Sequence, residues 1–92
     1  MLNGYATYQS KNGDKYEGYW RDDVQHGTGV SRFRDGSWYE GDHNKGMKWG
    51  HGTYHYADGA VYSGSWYKDK MHGEGTFTWA DGRKYKGQFN NN

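Results

Sequence analysis

Ninety-two residues allow one domain, and a net charge of +1, with 12 basic and 11 acidic side chains and no basic block, gives nucleic-acid binding no bulk electrostatic support. Cysteine is absent, which excludes a disulfide framework and thiolate metal sites. Leu, Ile, Val and Phe total only 7 residues, yet 18 are aromatic, so Tyr and Trp must serve as the buried material in place of aliphatics.

No apolar run approaches the ~18 residues of a membrane-spanning helix. No signal-peptide pattern opens the sequence. Without cysteine, a reducing compartment such as the cytoplasm is the expected location.

Tyr16, Tyr39, Tyr62 and Tyr85 recur at a step of 23 residues. A fixed period of this length marks an array of small identical elements. The first element is a half unit over 4–15, with Gly4, Thr7, Tyr8 and Asn12-Gly13 in repeat positions and Ala6 where glycine is expected. Full units at 16–38, 39–61 and 62–84 follow, and a half unit at 85–89 comes last. Half units at both ends point to a stop within a longer ladder, or to end-to-end assembly.

Each unit opens on an alternating segment. Tyr16, Gly18 and Trp20 share one face of a strand, while Glu17 and Tyr19 take the other. The copies are Tyr39, Gly41, His43, then Tyr62, Gly64, Trp66, then Tyr85, Gly87, Phe89. A six-residue link (21–26, 44–49, 67–72) is expected next, placing Val24, Met47 and Met71 in loops at the edge of the sheet. A second alternating segment follows: Gly27, Gly29, Ser31, Phe33; Gly50, Gly52, Tyr54, Tyr56; Gly73, Gly75, Phe77, Trp79. Asp35-Gly36, Asp58-Gly59 and Asp81-Gly82 then give hairpin signals. Period 2 in both segments, which together hold three glycines in each unit, rejects a helix. The expected fold is all-β: seven or eight short strands in one open antiparallel meander, twisted or curled like a trough.

One face of this sheet gathers thirteen rings: Tyr8, Tyr16, Trp20, Phe33, Tyr39, Tyr54, Tyr56, Tyr62, Trp66, Phe77, Trp79, Tyr85 and Phe89. Glycines on the same face make room for them. Trp38 and Tyr19 fall on the opposite face and are expected to be exposed, beside the carboxylates Glu17, Glu40, Asp42 and Glu74 on a flat surface.

The unit Tyr-x-Gly-x-Trp-x5-His-Gly-x-Gly, followed by aromatics and Asp-Gly, resembles the MORN repeat over residues 4–89. The third unit carries it best, through Tyr62, Gly64, Trp66, His72, Gly73, Gly75, Phe77, Trp79, Asp81 and Gly82. The central unit departs, with His43 for Trp and Trp49 for His, a swap of ring positions. The resemblance implies an elongated, twisted sheet of stacked hairpins. It implies a non-enzymatic role that holds proteins together at membranes, cytoskeletal structures or cilia, with lipid-headgroup binding also attributed to the family.

Weighed residue by residue, the histidines make a poor metal site. His26 and His72 share a repeat position but lie four strands apart, about 19 Å. Ser63 and Ser65 lack the setting of a nucleophile. Neither a cofactor nor an enzyme is expected. The candidate partner-binding residues are those of the aromatic trough: Tyr16, Trp20, Phe33, Tyr39, Tyr54, Tyr56, Tyr62, Trp66, Phe77, Trp79 and Tyr85. The leading expectation is a scaffold that takes a protein helix or extended peptide along them. The alternatives are anionic phospholipid headgroups at a membrane and, third, sugar or choline. The terminal strands offer a further docking or homo-oligomerisation surface.

Overall fold

The computed structural model describes residues 3–90. Eight strands follow one another: β1 Gly4–Gln9, β2 Lys15–Arg21, β3 Val24–Arg32, β4 Trp38–Asn44, β5 Met47–His55, β6 Val61–Tyr67, β7 Lys70–Thr78 and β8 Lys84–Asn90. They form one antiparallel sheet in chain order, with no crossover. Its extents of 43 × 24 × 16 Å make it elongated. The all-β meander expected from period 2 is therefore the observed architecture.

The two kinds of turn differ from expectation in one respect. The six-residue link does not exist as a loop, because its flanks are strand. Arg21 pairs with Val24, Asn44 with Met47 and Tyr67 with Lys70. Only two residues turn the chain, and both have positive φ: Asp22 and Asp23 at 51° and 67°, Lys45 and Gly46 at 53° and 82°, Lys68 and Asp69 at 51° and 70°. This is the type I′ geometry whose twist matches the flanking strands. Val24, Met47 and Met71 are accordingly strand residues.

The longer link lies at Asp-Gly. Phe33 N–H donates to Ser37 O at 2.9 Å, and Gly36 N–H donates to Phe33 O at 3.1 Å. Gly36 takes φ of 96°, which its missing Cβ permits. The aspartate closes the turn from its side chain: Asp35 Oδ1 accepts from Ser37 N–H at 2.9 Å and from Ser37 Oγ at 2.6 Å. Those two bonds hold the Asp35 carboxyl below the usual carboxylate range. Asp58 and Asp81 accept from Ala60 N–H and Arg83 N–H in the same way.

A bulge shapes each full unit. Gly18 faces Gly29 and Trp20 faces Gln25, so three residues of β3 span what one residue of β2 spans. The extra length is absorbed at Gly27, with φ of 80°; Gly50 and Gly73 repeat it at 72° and 83°. The hairpin tips lean onto the preceding unit. Gly46 N–H donates to Gln25 O at 2.9 Å, and Asp69 N–H donates to Lys48 O at 3.0 Å.

Candidate functional site

Glycine opposes glycine across the sheet, from Gly18↔Gly29 and Gly29↔Gly41 through to Gly75↔Gly87. The bare backbone leaves space that tyrosine fills. Tyr16 lies on Gly29, Tyr39 on Gly52 and Tyr62 on Gly75, so closely that a Cβ at any of these glycines would collide with the phenol. Each hydroxyl then donates to a backbone carbonyl: Tyr16 to Tyr19 O at 2.9 Å, Tyr39 to Asp42 O at 2.9 Å and Tyr62 to Ser65 O at 2.8 Å. Burial pushes the Tyr16 phenol up to about 12, and raises those of Tyr39 and Tyr62.

These tyrosines are the rungs of a ladder. The sequence Trp20–Tyr16–His43–Tyr39–Trp66–Tyr62–Phe89–Tyr85 runs edge to face throughout, with centroids 4.9–5.4 Å apart and interplanar angles of 84–88°. Each such contact adds about 1 kcal/mol beyond area burial. The trough rings predicted from the alternation thus share one face, but they do not share one environment. Tyr16, Tyr39, Tyr62 and Trp66 are buried, at 2%, 0%, 0% and 6% exposure. They form the core and offer a partner little surface.

A second row lies beside the ladder. Phe33–Tyr54, Tyr54–Tyr56, Tyr56–Phe77 and Phe77–Trp79 are in successive contact, at 6.0, 4.6, 5.6 and 4.8 Å. Phe33, Tyr54, Tyr56 and Phe77 are half-buried, and Trp79 is exposed. Trp20 is half-buried against Ala6 O, to which its Nε1–H donates at 3.1 Å. Tyr85 and Tyr8 stand exposed at opposite ends of the face.

The centre of the trough is polar. His43 occupies the seat that Trp66 holds one unit on, and it is 4% exposed. Its Nε2 lies 3.4 Å from Ser31 Oγ, and burial lowers its pKa below the ordinary histidine value. Beside it Lys48 sends its Nζ to 5.5–5.7 Å from the centroids of Tyr39, Tyr54 and Trp66, and to 3.5 Å from Asp69 Oδ1. This is a cation held against three ring faces. Trp49, like His72, packs on Tyr67 (4.7 and 5.8 Å) at the other side of the sheet.

Gln25, Lys48 and Met71 were not in the predicted site. They face Trp20, His43 and Trp66 across the sheet, and Met71 packs against the core. Their 23-residue step is present in the sequence, but the expected loops at 21–26, 44–49 and 67–72 conceal it, and the bulge breaks the alternation that would place them.

The opposite face keeps Glu17, Glu40, Asp42 and Glu74 exposed, as expected, and carries shallow open recesses. A recess of about 520 Å³ is lined by His51, Ser63, Ser65, Glu74, Thr76, Lys86 and Gln88 over the backbone of Gly64, Gly75 and Gly87. Glu40 and Asp42 line a neighbouring recess. Tyr19 is exposed there as expected, whereas Trp38 is half-buried, stacked on His55 at 3.6 Å with Arg32 over its ring.

The MORN repeat family model matches residues 1–15, 16–38, 39–61 and 62–82. No curated protein matches the chain. On the strength of four consecutive matches and an antiparallel sheet of consecutive hairpins, the chain belongs to the MORN-repeat family, a non-enzymatic repeat module that generally binds proteins and membranes.

Proposed function

We propose that this protein is an interaction scaffold whose trough receives the apolar side of a helix or extended segment from a protein partner. The observation that carries the reading is the accessible row Phe33–Tyr54–Tyr56–Phe77–Trp79, which continues past the buried ladder without a gap. Contiguous apolar surface of this kind favours a partner that is itself apolar on one side. The ladder's part is to hold the row in place. Bulky rings in contact lose little freedom on binding, and aromatic anchors carry most of the energy at interfaces.

The test separates surface from core. Tyr56→Ala with Trp79→Ala should keep the β-sheet circular dichroism of the wild type and weaken capture of a protein partner at least about tenfold, the range of an aromatic hot spot. Arg32→Glu, on the other face, should leave capture unchanged. Loss of capture in Arg32→Glu with full capture in the ring variant would overturn the trough. Anionic vesicles run in parallel cover the lipid alternative: pelleting with them, reversed by salt, would move the function to a membrane surface.

A further inference from the structure

Among the described residues β1 and β8 are the sheet's two edges, and they are complementary halves of one repeat unit. β8 carries Tyr85, Gly87 and Phe89 in first-strand positions, and β1 carries Ala6, Thr7 and Tyr8 in second-strand positions. Tyr85 is already posed like the buried tyrosines. Its hydroxyl donates to Gln88 O at 3.2 Å, and its ring meets Phe89 edge-on at 5.3 Å. It remains 44% exposed because no glycine-bearing strand lies beneath it, as one lies beneath Tyr16, Tyr39 and Tyr62.

In head-to-tail addition a second copy supplies the strand from its β1, the other edge of the sheet. In the register by which β6 pairs with β7, Val61↔Thr78, Tyr62↔Phe77, Ser63↔Thr76 and Gly64↔Gly75. The same register sets Lys84 against Gln9, Tyr85 against Tyr8, Lys86 against Thr7 and Gly87 against Ala6. Ala6 then stands where Gly29, Gly52 and Gly75 stand inside the array. At each of those glycines a Cβ would occupy the space of the phenol hydroxyl and Cζ. Within its own chain Ala6 avoids this, because it pairs with Gly18, whose strand presents no tyrosine to it from that side.

We infer that Ala6 is a stop. It closes the free edge of β1 to any first strand of the repeat type, and so bars head-to-tail addition of one copy of the chain to another. The end-to-end assembly expected from the half units is shut in this register by one methyl group. β8 admits a strand with glycine opposite Gly87 and rejects β1. Edge strands with open backbone groups are templates for association, and a single steric device at the join suffices to prevent an open filament.

The experiment uses the absence of native cysteine. Thr7→Cys and Lys86→Cys are introduced together, at positions that face one another only in the joined register. With Ala6 retained, oxidation should give no ladder of disulfide-linked multimers, and sedimentation should show no mass beyond a dimer at any loading. Adding Ala6→Gly should produce a cross-linked ladder of multimers and a mass that rises with loading. A second arm leaves the protein unchanged: a peptide of residues 70–79, which carries Gly75, should protect the β8 amides from hydrogen exchange, and the same peptide with Gly75→Ala should not. The inference fails if the Ala6 chain cross-links as readily as the Ala6→Gly chain. It fails equally if Ala6→Gly stays a single mass with β structure intact, or if both peptides protect β8 alike.

Discussion

The central and third units solve one packing problem with different chemistry. Between Tyr16 and Tyr39 the ring is His43, and between Tyr39 and Tyr62 it is Trp66. The centroid distances to the flanking tyrosines are nearly the same, 5.1 Å and 5.1 Å for His43 against 5.4 Å and 5.1 Å for Trp66. The edge-to-face angle is 86–88° in both. Tyrosine and glycine therefore fix the seat, and the ring that fills it is secondary. What changes is polarity. Trp66 Nε1–H donates to Gly52 O at 3.1 Å, whereas His43 meets Ser31 Oγ and has Lys48 opposite it where the third unit has Met71.

Four substitutions break or sharpen that comparison. Tyr39→Ala removes the rung shared by both seats and should cost about 4 kcal/mol, read from the urea midpoint of the strand signal. Trp66→His makes the third unit like the central one. It forfeits ring area and adapts a seat shaped for indole, so a loss of about 2 kcal/mol is expected in the same titration. Tyr39→Phe keeps the ring and removes only the hydrogen bond to Asp42 O, a change of about 1 kcal/mol.

The smallest effect separates the units by pH. Burial keeps His43 neutral with a folded-state pKa below its ordinary value of 6.5, so the unfolded chain takes the proton more readily. Its part of the stability is whole above about pH 6.5 and is lost as the pH falls below it. His43→Phe should flatten this acid limb of the melting temperature. The tyrosines act in the opposite sense. Tyr16 titrates at about 12 when folded against 10 when unfolded, so stability is expected to fall as the pH rises above 10. That alkaline limb should survive in His43→Phe.

The faces were legible from residue order alone, because side chains alternate and the 23-residue step repeats the test at Tyr16, Tyr39, Tyr62 and Tyr85. The tips were not. Asp22-Asp23 and Lys68-Asp69 carry no glycine, yet take positive φ at both places. The twist of the paired strands imposes this against local preference. Burial was the other gap. Tyr39 and Tyr56 lie on one face by pattern, but only the neighbouring strand and the Gly52 backbone decide that the first is covered and the second half-open. A neighbour's position is a tertiary fact that period 2 does not encode. The same holds for Lys48, whose place against three rings depends on a bulge at Gly50.

The claim that glycine is present to seat tyrosine is tested most directly by a double-mutant cycle on Tyr39 and Gly52. Gly52→Ala should cost about 3 kcal/mol beside Tyr39, because the added methyl meets the phenol. With Tyr39→Leu in place the same change should cost close to nothing, since alanine is otherwise at least as well suited to a strand as glycine. Equal costs in the two backgrounds would mean that Gly52 serves the backbone alone, and would contradict the ladder.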